Sequence, residues 1–138
     1  MYAYLFRPSD PGSQGLGAFV GPEVLALNRA AEVLRLGGLS PPVQAAVFDA
    51  VGRIRGVRIR IGAVDVSGRT GVALVHAEPD VETELIFDAT TYRYLGMNQR
   101  ITALRTIHKE DGELTVNDAP VRQAILRVAM VDEIGELP

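Results

Sequence analysis

The feature of this sequence that most constrains its fold is a change in the spacing of apolar residues at Gly56. Before Gly56, apolar residues recur at the spacing of one helix face, at Val43, Ala46, Val47, Ala50, Val51 and Ile54. After Gly56 the apolar period is two, in Val57, Ile59, Ile61 and Ala63, with Arg58, Arg60 and Gly62 between them. The pattern predicts a helix that ends at Gly56 and leads into a strand. Val47 is expected to face the sheet, whereas Gln44 is placed on the opposite side of the helix, where substitution should be neutral.

Another helix is predicted ahead of this one. Pro22 and Glu23 suit a first helical turn, because proline fits there and a carboxylate favours the positive end of the helix dipole. The helix then carries apolar residues at helical spacing before a glycine pair, namely Val24, Leu27, Ala31 and Leu34, then Gly37 and Gly38. Ser40 is predicted to cap the second helix, with Pro41 at its first position.

The strands that follow are predicted to form an antiparallel meander. Ser67-Gly68 and Pro79-Asp80 are typical of tight turns. Taken as two-residue loops, they pair Ala63 with Val72, Ile61 with Leu74, Val72 with Phe87, Leu74 with Leu85, and His76 with Thr83. Both registers put apolar residues opposite apolar residues, which supports the meander.

Residues 88–91, Asp-Ala-Thr-Thr, combine a carboxylate with two hydroxyls and raise the question of a site. We interpret them as a turn, because an Asp at the head of a turn accepts hydrogen bonds from amides two residues on. Phe87 would then pair with Tyr92, and Leu85 with Tyr94.

The rest of the chain is predicted to be mostly strand. A fourth strand should run from about residue 92 toward 107, broken near Gly96, and Asp111-Gly112 marks a hairpin. Residues 121–131 are apolar on both faces through their centre, which is typical of a strand that is covered on both sides or central in its sheet. A helix is the competing interpretation for this segment.

The predicted fold class is therefore α+β, with two helices packed on one face of an antiparallel β-meander of five to six strands. Residues 1–138 would form a single domain, made of a strand and loop (1–21), a helix pair (22–55) and the meander (57–138). Met1 leads straight into an apolar run, which favours a domain excised from a longer membrane-anchored protein. A native start is the alternative.

Composition narrows the possible functions. The chain has 138 residues, of which 47% are hydrophobic, and a net charge of −3, so it has no global attraction for nucleic acid. It contains no cysteine, which excludes disulfides, zinc-thiolate sites and cysteine nucleophiles. No nucleophile elbow, phosphate loop or HExxH motif occurs, so an enzyme is not expected.

Two pairs of polar residues are candidate sites, but a structural role is expected for each. His76 and His108 are predicted to lie on separate strands without a carboxylate at ligand spacing, so neither a metal nor another cofactor is expected. Instead, His76 should sit at the rim of the core. Glu82 and Glu84 point the same way, as paired carboxylates for acid–base work would, but a solvated strand face is the preferred interpretation.

Residues 53–60 hold the one concentration of charge, a candidate patch for an anion or a partner formed by Arg53, Arg55, Arg58 and Arg60. The structural alternative is favoured. Arg53 and Arg55 would lie at the C-terminal end of a helix, where positive charges interact favourably with the helix dipole. Arg58 and Arg60 would reach across the second strand, about residues 70–77, to Glu82 and Glu84 on the third, 81–88, in a solvent-exposed Arg–Glu ladder.

The order of four segments resembles a known family. They are SPPVQAAVFDAVGRIRGVRI, DVSGRTGVAL, TELIFDATTYRYLG and ILRVAMVDEIGELP. This order resembles the C-terminal region of an actinobacterial family of membrane-anchored proteins of unknown function, commonly encoded beside extracytoplasmic-function sigma factors. The resemblance implies an extracytoplasmic domain, with a membrane helix upstream of this sequence, and it carries over no catalytic residues. A helix pair followed by a meander is also similar to bacterial lipoprotein-carrier and sigma-regulator periplasmic domains, whose curved sheet cups acyl chains.

The leading functional expectation is a non-enzymatic sensing or ligand-binding module on the extracytoplasmic side of the cell membrane, itself soluble. The alternative is a protein–protein interaction domain with no small ligand. The expected partners are a lipid or another apolar ligand, a protein partner or a second copy in a homodimer, and no nucleic acid. A membrane would be involved only through a segment outside this sequence.

Overall fold

The computed structural model of the chain describes residues 5, 21–101, 105–109, 112–116 and 121–126, with the strands 105–109 and 112–116 described through their backbone alone. It contains a helix pair, α1 (Pro22–Arg35) and α2 (Pro41–Gly52). Both helices carry proline in the first turn, as predicted, and Ser40 occupies the N-cap of α2 without a side-chain capping hydrogen bond. Neither helix is long and apolar enough to cross a membrane.

The buried face of α1 is the predicted one, since Val24, Leu27, Ala31 and Leu34 are all buried. On α2 the prediction was wrong in part. Val47, Ala50, Val51 and Ile54 are buried as expected, but Val43 and Ala46 are exposed. Gln44 and Phe48 take their place, because Gln44 makes hydrogen bonds toward the sheet and the Phe48 ring packs edge-on against the Phe87 ring. The buried stripe of α2 is thus rotated by about one residue.

The described strands are all antiparallel. They are β1 (Arg58–Val64), β2 (Thr70–Glu78), β3 (Val81–Phe87), β4 (Tyr94–Ile101), β5 (Arg105–Lys109), β6 (Gly112–Val116) and β7 (Val121–Ala124). Five of them form a sheet in the order β1-β2-β3-β4-β7, and β5 and β6 pair as a separate hairpin. The α+β class with helices on an open antiparallel sheet is therefore confirmed.

The β2–β3 register is the predicted one: Val72 faces Phe87, Leu74 faces Leu85 and His76 faces Thr83. The β1–β2 register was wrong. Ile61 pairs with Val72 and Ala63 with Gly71, because Gly62 forms a bulge at φ +76° between them. The bulge turns Ala63 to the sheet face opposite Ile61, so the two residues do not share a face as predicted.

The β3–β4 connection is longer than predicted. Phe87 pairs with Tyr94 and Leu85 with Met97, and the register shifts between Ile86 and Phe87. Tyr92 lies in the turn at φ +56° instead of starting the strand, and its ring packs against that of Phe48.

The later strands also differ from the prediction. β4 runs through Gly96 without a break and ends at Ile101, and Gly96 is needed there because a side chain would collide with the backbone of Gln123 on β7. The hairpin predicted at Asp111-Gly112 is present, but Gly112 lies in β6, where it pairs with Lys109, and not in the turn.

The predicted position of the strand in residues 121–131, central in the sheet or covered on both sides, was wrong. The strand Val121–Ala124 is correct, but it is the last strand of the five-stranded sheet and is partly exposed. Residues 127–131 lie outside the described residues.

The core occupies both faces of the sheet. On the helix side, the largest buried side chains of the sheet meet those of the helices, and this cluster includes Leu27, Val47, Val51, Leu74, Leu85, Phe87 and Tyr94. A smaller cluster on the other face contains Ala63, Ala73, Val75, Ile86 and Leu95. The helices pack over β2, β3 and β4, so β1 extends beyond the helix layer.

Candidate functional site

The largest described cleft opens at the C-terminal end of α1. It has a volume of about 810 Å³, within the range of about 300–1,000 Å³ that holds small-molecule ligands. The α1–α2 connection, the β3–β4 turn and the end of β7 form its walls, through Leu34, Gly37, Gly38, Leu39, Pro41, Gln44, Asp88, Thr91, Arg93, Tyr94, Ile125 and Leu126.

The lining of the cleft is divided into an apolar and a polar part. Leu34, Leu39, Tyr94, Ile125 and Leu126 supply apolar surface from three separate parts of the chain. Leu126 is 75% exposed, so a ligand in the cleft would remove apolar surface from water. The polar side chains come from α2 and the β3–β4 turn.

Two glycines shape the connection that forms one wall. Gly37 and Gly38 have φ values of +74° and +66°, in the left-handed region that side chains disfavour. Consecutive left-handed residues end α1 and turn the chain toward α2 within a few residues. The glycine pair that was predicted to stop the helix therefore also makes the cleft wall.

Gln44 fixes the inner end of the cleft. The backbone N–H of Tyr94 donates to Gln44 Oε1 at 2.9 Å, and Gln44 Nε2 donates to the carbonyl of Leu39 at 2.9 Å. The side chain thereby ties the interhelix connection to the start of β4. The prediction that placed Gln44 on the outer side of α2 was wrong. One signal could have found it: residues 44, 47, 48 and 51 follow the i, i+3, i+4, i+7 spacing of one helix face.

Asp88 builds the turn that forms the opposite wall. Its Oδ1 accepts hydrogen bonds from the N–H of Thr91 at 2.8 Å, the N–H of Thr90 at 3.0 Å and the hydroxyl of Thr91 at 2.9 Å. The Thr91 amide, the Thr91 hydroxyl and the Thr90 amide hold the pKa of Asp88 below its usual value. The turn prediction for residues 88–91 is confirmed, and Oδ1 of this carboxylate is occupied by the turn.

Arg93 provides a positive charge at the rim of the cleft. Its side chain is exposed and forms no salt bridge with a described residue. A guanidinium with unused donors is suited to bind a carboxylate or phosphate. Sequence reasoning missed Arg93, because nothing in its immediate neighbours distinguishes it from other surface arginines.

Tyr94 offers a second polar group beside the apolar wall. Burial raises the pKa of its hydroxyl, so the phenol is neutral and can donate a hydrogen bond. The ring packs edge-on against Phe87 at a centroid distance of 5.6 Å, which fixes its orientation.

The four arginines of the predicted patch have different surroundings. Arg53 pairs with Asp49 at 2.8 Å, and Arg60 forms salt bridges with Glu84 and, at 3.4 Å, with Glu82. Arg55 and Arg58 are exposed and form no salt bridge with a described residue. Binding of an anion or a partner by this patch stays a prediction.

The Arg–Glu ladder is confirmed for Arg60 alone. Glu84 is buried, which corrects the expectation of a fully solvated carboxylate face. Asn98 Nδ2 donates to Glu84 Oε2 at 3.1 Å, so Glu84 has a polar partner on each side. The hollow around these groups measures about 170 Å³, well below the size of a ligand site.

The two histidines lie on separate strands, as predicted, but the expectation of no carboxylate at ligand spacing was wrong for His76, because Glu23 and Glu78 lie beside it. His76 on β2 is buried opposite Thr83 at the edge of the core. His108 lies on β5, where the backbone alone is described.

No protein family, curated protein or solved structure matches this chain. The resemblance in motif order to the actinobacterial family therefore stays a prediction.

Proposed function

We propose that this chain is a non-enzymatic ligand-binding module that holds a small amphipathic molecule in the cleft at the C-terminal end of α1. The observation that carries the proposal is a cleft of about 810 Å³ in which apolar side chains lie next to unused polar groups. Such a lining, mostly apolar with a few placed polar groups, is typical of small-molecule sites.

The apolar part of the ligand would lie against Leu39, Ile125 and Leu126. Each methylene group transferred there from water contributes about 0.8 kcal/mol. A chain of about ten methylenes would gain about 8 kcal/mol before the costs of association, which are several kcal/mol. An acyl chain therefore fits the expectation of a lipid or another apolar ligand, at micromolar or weaker affinity.

The polar end of the ligand would lie near Arg93. Asp88 accepts its turn hydrogen bonds through Oδ1, and Arg93 attracts this carboxylate without forming a described salt bridge, so the guanidinium keeps donors for a ligand on this rim. A carboxylate or phosphate head group would form charge-assisted hydrogen bonds there. The proposed ligand is accordingly an anionic amphiphile.

We place this module on the extracytoplasmic side of the cell membrane, tethered through a segment outside this sequence, as the family resemblance implies. A binding module in that position would sense or carry its ligand without catalysing a reaction. This assignment rests on the order of the four sequence segments alone.

Two measurements test the ligand proposal. Native mass spectrometry of protein purified from its own host should show a co-purified anionic amphiphile. In a fluorescence titration with dansylaminoundecanoate, which has an apolar chain and a carboxylate, the wild-type protein should bind one equivalent.

Matched variants inside and outside the cleft show where the probe binds. Leu126→Ser should weaken binding about fivefold to tenfold, because the side chain loses about 1–1.4 kcal/mol of apolar contact with the chain. Leu36→Ser is the control, since Leu36 is 84% exposed and lies outside the cleft lining. Arg93→Gln should weaken the carboxylate probe but not its uncharged amide, whereas Arg55→Gln should affect neither. Equal effects of Leu126→Ser and Leu36→Ser would disprove the site.

A second candidate function is supported by the outer edge of β1. Ile59 and Ile61 are 65% and 85% exposed, on the face that carries the helices, and β1 ends the order of the described five-stranded sheet. An extended segment could add to this edge through backbone hydrogen bonds. Arg58, on the opposite face, has no salt bridge to a described carboxylate, so a strand that alternates apolar and acidic residues would complement the edge.

A peptide of alternating valine and glutamate tests this protein-interaction function by fluorescence anisotropy. Ile61→Lys should abolish its binding, while Leu36→Lys should not, because lysine on an edge strand opposes strand addition. Binding should also weaken with salt as the Arg58 attraction is screened. No difference between the peptide and a scrambled version with the same composition would exclude this function.

A further inference from the structure

Three possible metal ligands meet at the N-terminal end of α1. His76 and Glu78 are two residues apart on β2 and so project from the same face of the strand. Glu23 lies in the first turn of α1. One ligand atom from each of the three residues lies within 4.8 Å of the other two. The three residues are hereafter called the Glu–His–Glu cluster.

His76 is the most informative member of the cluster. It is 8% exposed, and its Nδ1 is buried without a hydrogen-bond partner. Its Nε2 lies 3.7 Å from Glu78 Oε1, too far for a hydrogen bond. The buried Nδ1 costs free energy unless something beyond the described residues binds it, and Nε2 faces Glu78 without a hydrogen bond to it.

Two glycines leave space for these side chains. A Cβ at Gly21 would collide with the carboxylate of Glu78, and a Cβ at Gly56 would lie 3.1 Å from His76 Cε1 and 3.2 Å from His76 Nδ1. Gly56 also has φ +81°, so this position disfavours any side chain. Gly56 therefore leaves room for the imidazole, whereas the contact at Gly21 is with the flexible end of the Glu78 side chain.

Glu78 is oriented by a backbone contact. The N–H of Gly21 donates to Glu78 Oε2 at 3.3 Å. The other oxygen, Oε1, is turned toward His76. A carboxylate that is held through one oxygen and presents the other is arranged as metal-ligating carboxylates usually are.

We propose that Glu23, His76 and Glu78 bind a divalent transition-metal ion, for which Zn²⁺ is the best match. One imidazole nitrogen and two carboxylate oxygens suit Zn²⁺, whereas sites for Mg²⁺ and Ca²⁺ use oxygen ligands alone. Ligands at about 2.1 Å from a tetrahedral ion lie about 3.4 Å apart. The 3.7 Å separation of His76 Nε2 and Glu78 Oε1 needs only a small adjustment to reach this value.

The charges of the cluster support a cation. Glu23 and Glu78 bring two carboxylates together, and none of the described salt bridges joins either of them to an arginine or lysine. A divalent ion bound at His76 Nε2 would neutralise both carboxylates and would leave the imidazole proton on Nδ1. Three protein ligands leave a fourth position for water.

This site is separate from the cleft proposed for the amphipathic ligand. The cluster lies at the start of α1 and the cleft at its end, and a helix of 14 residues is about 20 Å long. The metal would join the first turn of α1 to β2. Its expected effect is therefore on stability, and the proposal holds whether or not the cleft binds a ligand.

The test begins with protein dialysed against EDTA and then freed of EDTA. Isothermal titration with ZnCl₂ should show one equivalent bound, and MgCl₂ should show none. At Zn²⁺ about 100-fold above its Kd, the Tm should rise by about 5–10 °C. Co²⁺ should give visible absorption bands of a site with one nitrogen and several oxygen ligands.

Variants assign the ligands. His76→Gln, Glu78→Gln and Glu23→Gln should each weaken Zn²⁺ binding by at least about tenfold. Glu32→Gln makes the same charge change on an exposed position of α1 and should bind Zn²⁺ as the wild type does. His108→Gln controls for the other histidine. Circular dichroism of each variant in EDTA shows whether it is folded. Glu23 lies at a half-buried surface position, so Glu23→Gln still tests the site if His76→Gln unfolds.

Two outcomes would overturn the proposal. One is Zn²⁺ binding that survives both His76→Gln and Glu23→Gln unchanged. The other is the absence of any Zn²⁺-dependent rise in Tm in the wild-type protein.

Discussion

The amide oxygen of Gln44 accepts a hydrogen bond from the backbone N–H of Tyr94 at 2.9 Å, and this contact joins α2 to the first residue of β4. Tyr94 is buried, so its N–H depends on this side chain for a partner. Because the same side chain donates to the Leu39 carbonyl, a single residue holds the interhelix connection, the helix and the sheet together.

Gln44→Ala should therefore destabilise the protein by about 1–3 kcal/mol, since a buried N–H and a carbonyl lose their partners. Val43→Ala, one position earlier and exposed, should change stability by less than about 0.5 kcal/mol. Urea unfolding of the two variants measures the difference. Equal unfolding midpoints would mean that the Gln44 contacts contribute nothing.

The β1–β2 loop should contribute to the acid sensitivity of the protein through Asp65, whose side chain is fully buried. Burial by itself raises the pKa of Asp65, yet the net shift is downward, because the amide and guanidinium of Arg69 and the hydroxyl of Ser67 stabilise the carboxylate. Arg69 Nε donates to Asp65 Oδ2 at 2.7 Å, and the Arg69 N–H donates to Asp65 Oδ1 at 2.8 Å.

A pKa that is lower in the folded state than in the unfolded state gives stability above the unfolded value of 3.8, and this stability is lost as the pH falls through the folded value. Asp65→Asn should lower the free energy of unfolding at pH 7 by about 1–3 kcal/mol. The loss should shrink as the pH falls below 3.8, so the two proteins should converge in acid. Chemical unfolding at pH 7 and pH 3 tests this, and a difference that is independent of pH would contradict it.

The three consecutive hairpins differ in how well the sequence pattern predicted their strand registers. The β2–β3 register was correct because Glu78 and Val81 flank a two-residue turn, in which loop length alone sets the register. The other two connections are longer, and in each of these hairpins the register also shifts within a strand, at Gly62 in β1 and between Ile86 and Phe87 in β3. Asp65 closes the first through bonds to Ser67 and Arg69, and the reasoning that identified Asp88 as the head of a turn applies equally to it.

The candidate sites were harder to predict because their residues come from distant segments. Gln44, Arg93 and Leu126 meet only through the tertiary fold, and nothing in their local patterns links them. For the Glu–His–Glu cluster the sequence contains part of the signal. His76 and Glu78 have the period-two spacing that puts both on one strand face. Glu23 was correctly placed in the first helical turn, but its approach to β2 depends on how α1 packs.

The salt bridge between Arg60 and Glu84 should be worth more than an exposed pair. Glu84 is buried and Arg60 is 47% exposed, so solvent screens the interaction only in part. A double-mutant cycle with Arg60→Gln and Glu84→Gln should give a favourable coupling of about 1 kcal/mol that decreases in 1 M NaCl. The pair Arg53 and Asp49, with both side chains mostly exposed, is the control and should give less than about 0.5 kcal/mol. Equal couplings for the two pairs would contradict the expected effect of burial.

Gly62 provides the sharpest test of the β1 bulge. It has φ +76°, and a Cβ built there meets no atom within 4 Å, so any cost of Gly62→Ala comes from the backbone alone. An L-residue in the left-handed region costs about 1–2 kcal/mol, and Gly62→Ala should lower the free energy of unfolding by that amount. Gly52→Ala is the matched control, because Gly52 lies at the end of α2, also in open space, but without a positive φ. There alanine should stabilise the protein by about 0.5–1 kcal/mol. Opposite signs are thus expected for the same chemical change. If both variants were stabilised, position 62 would not require the left-handed conformation, which would contradict the bulge between Ile61 and Ala63.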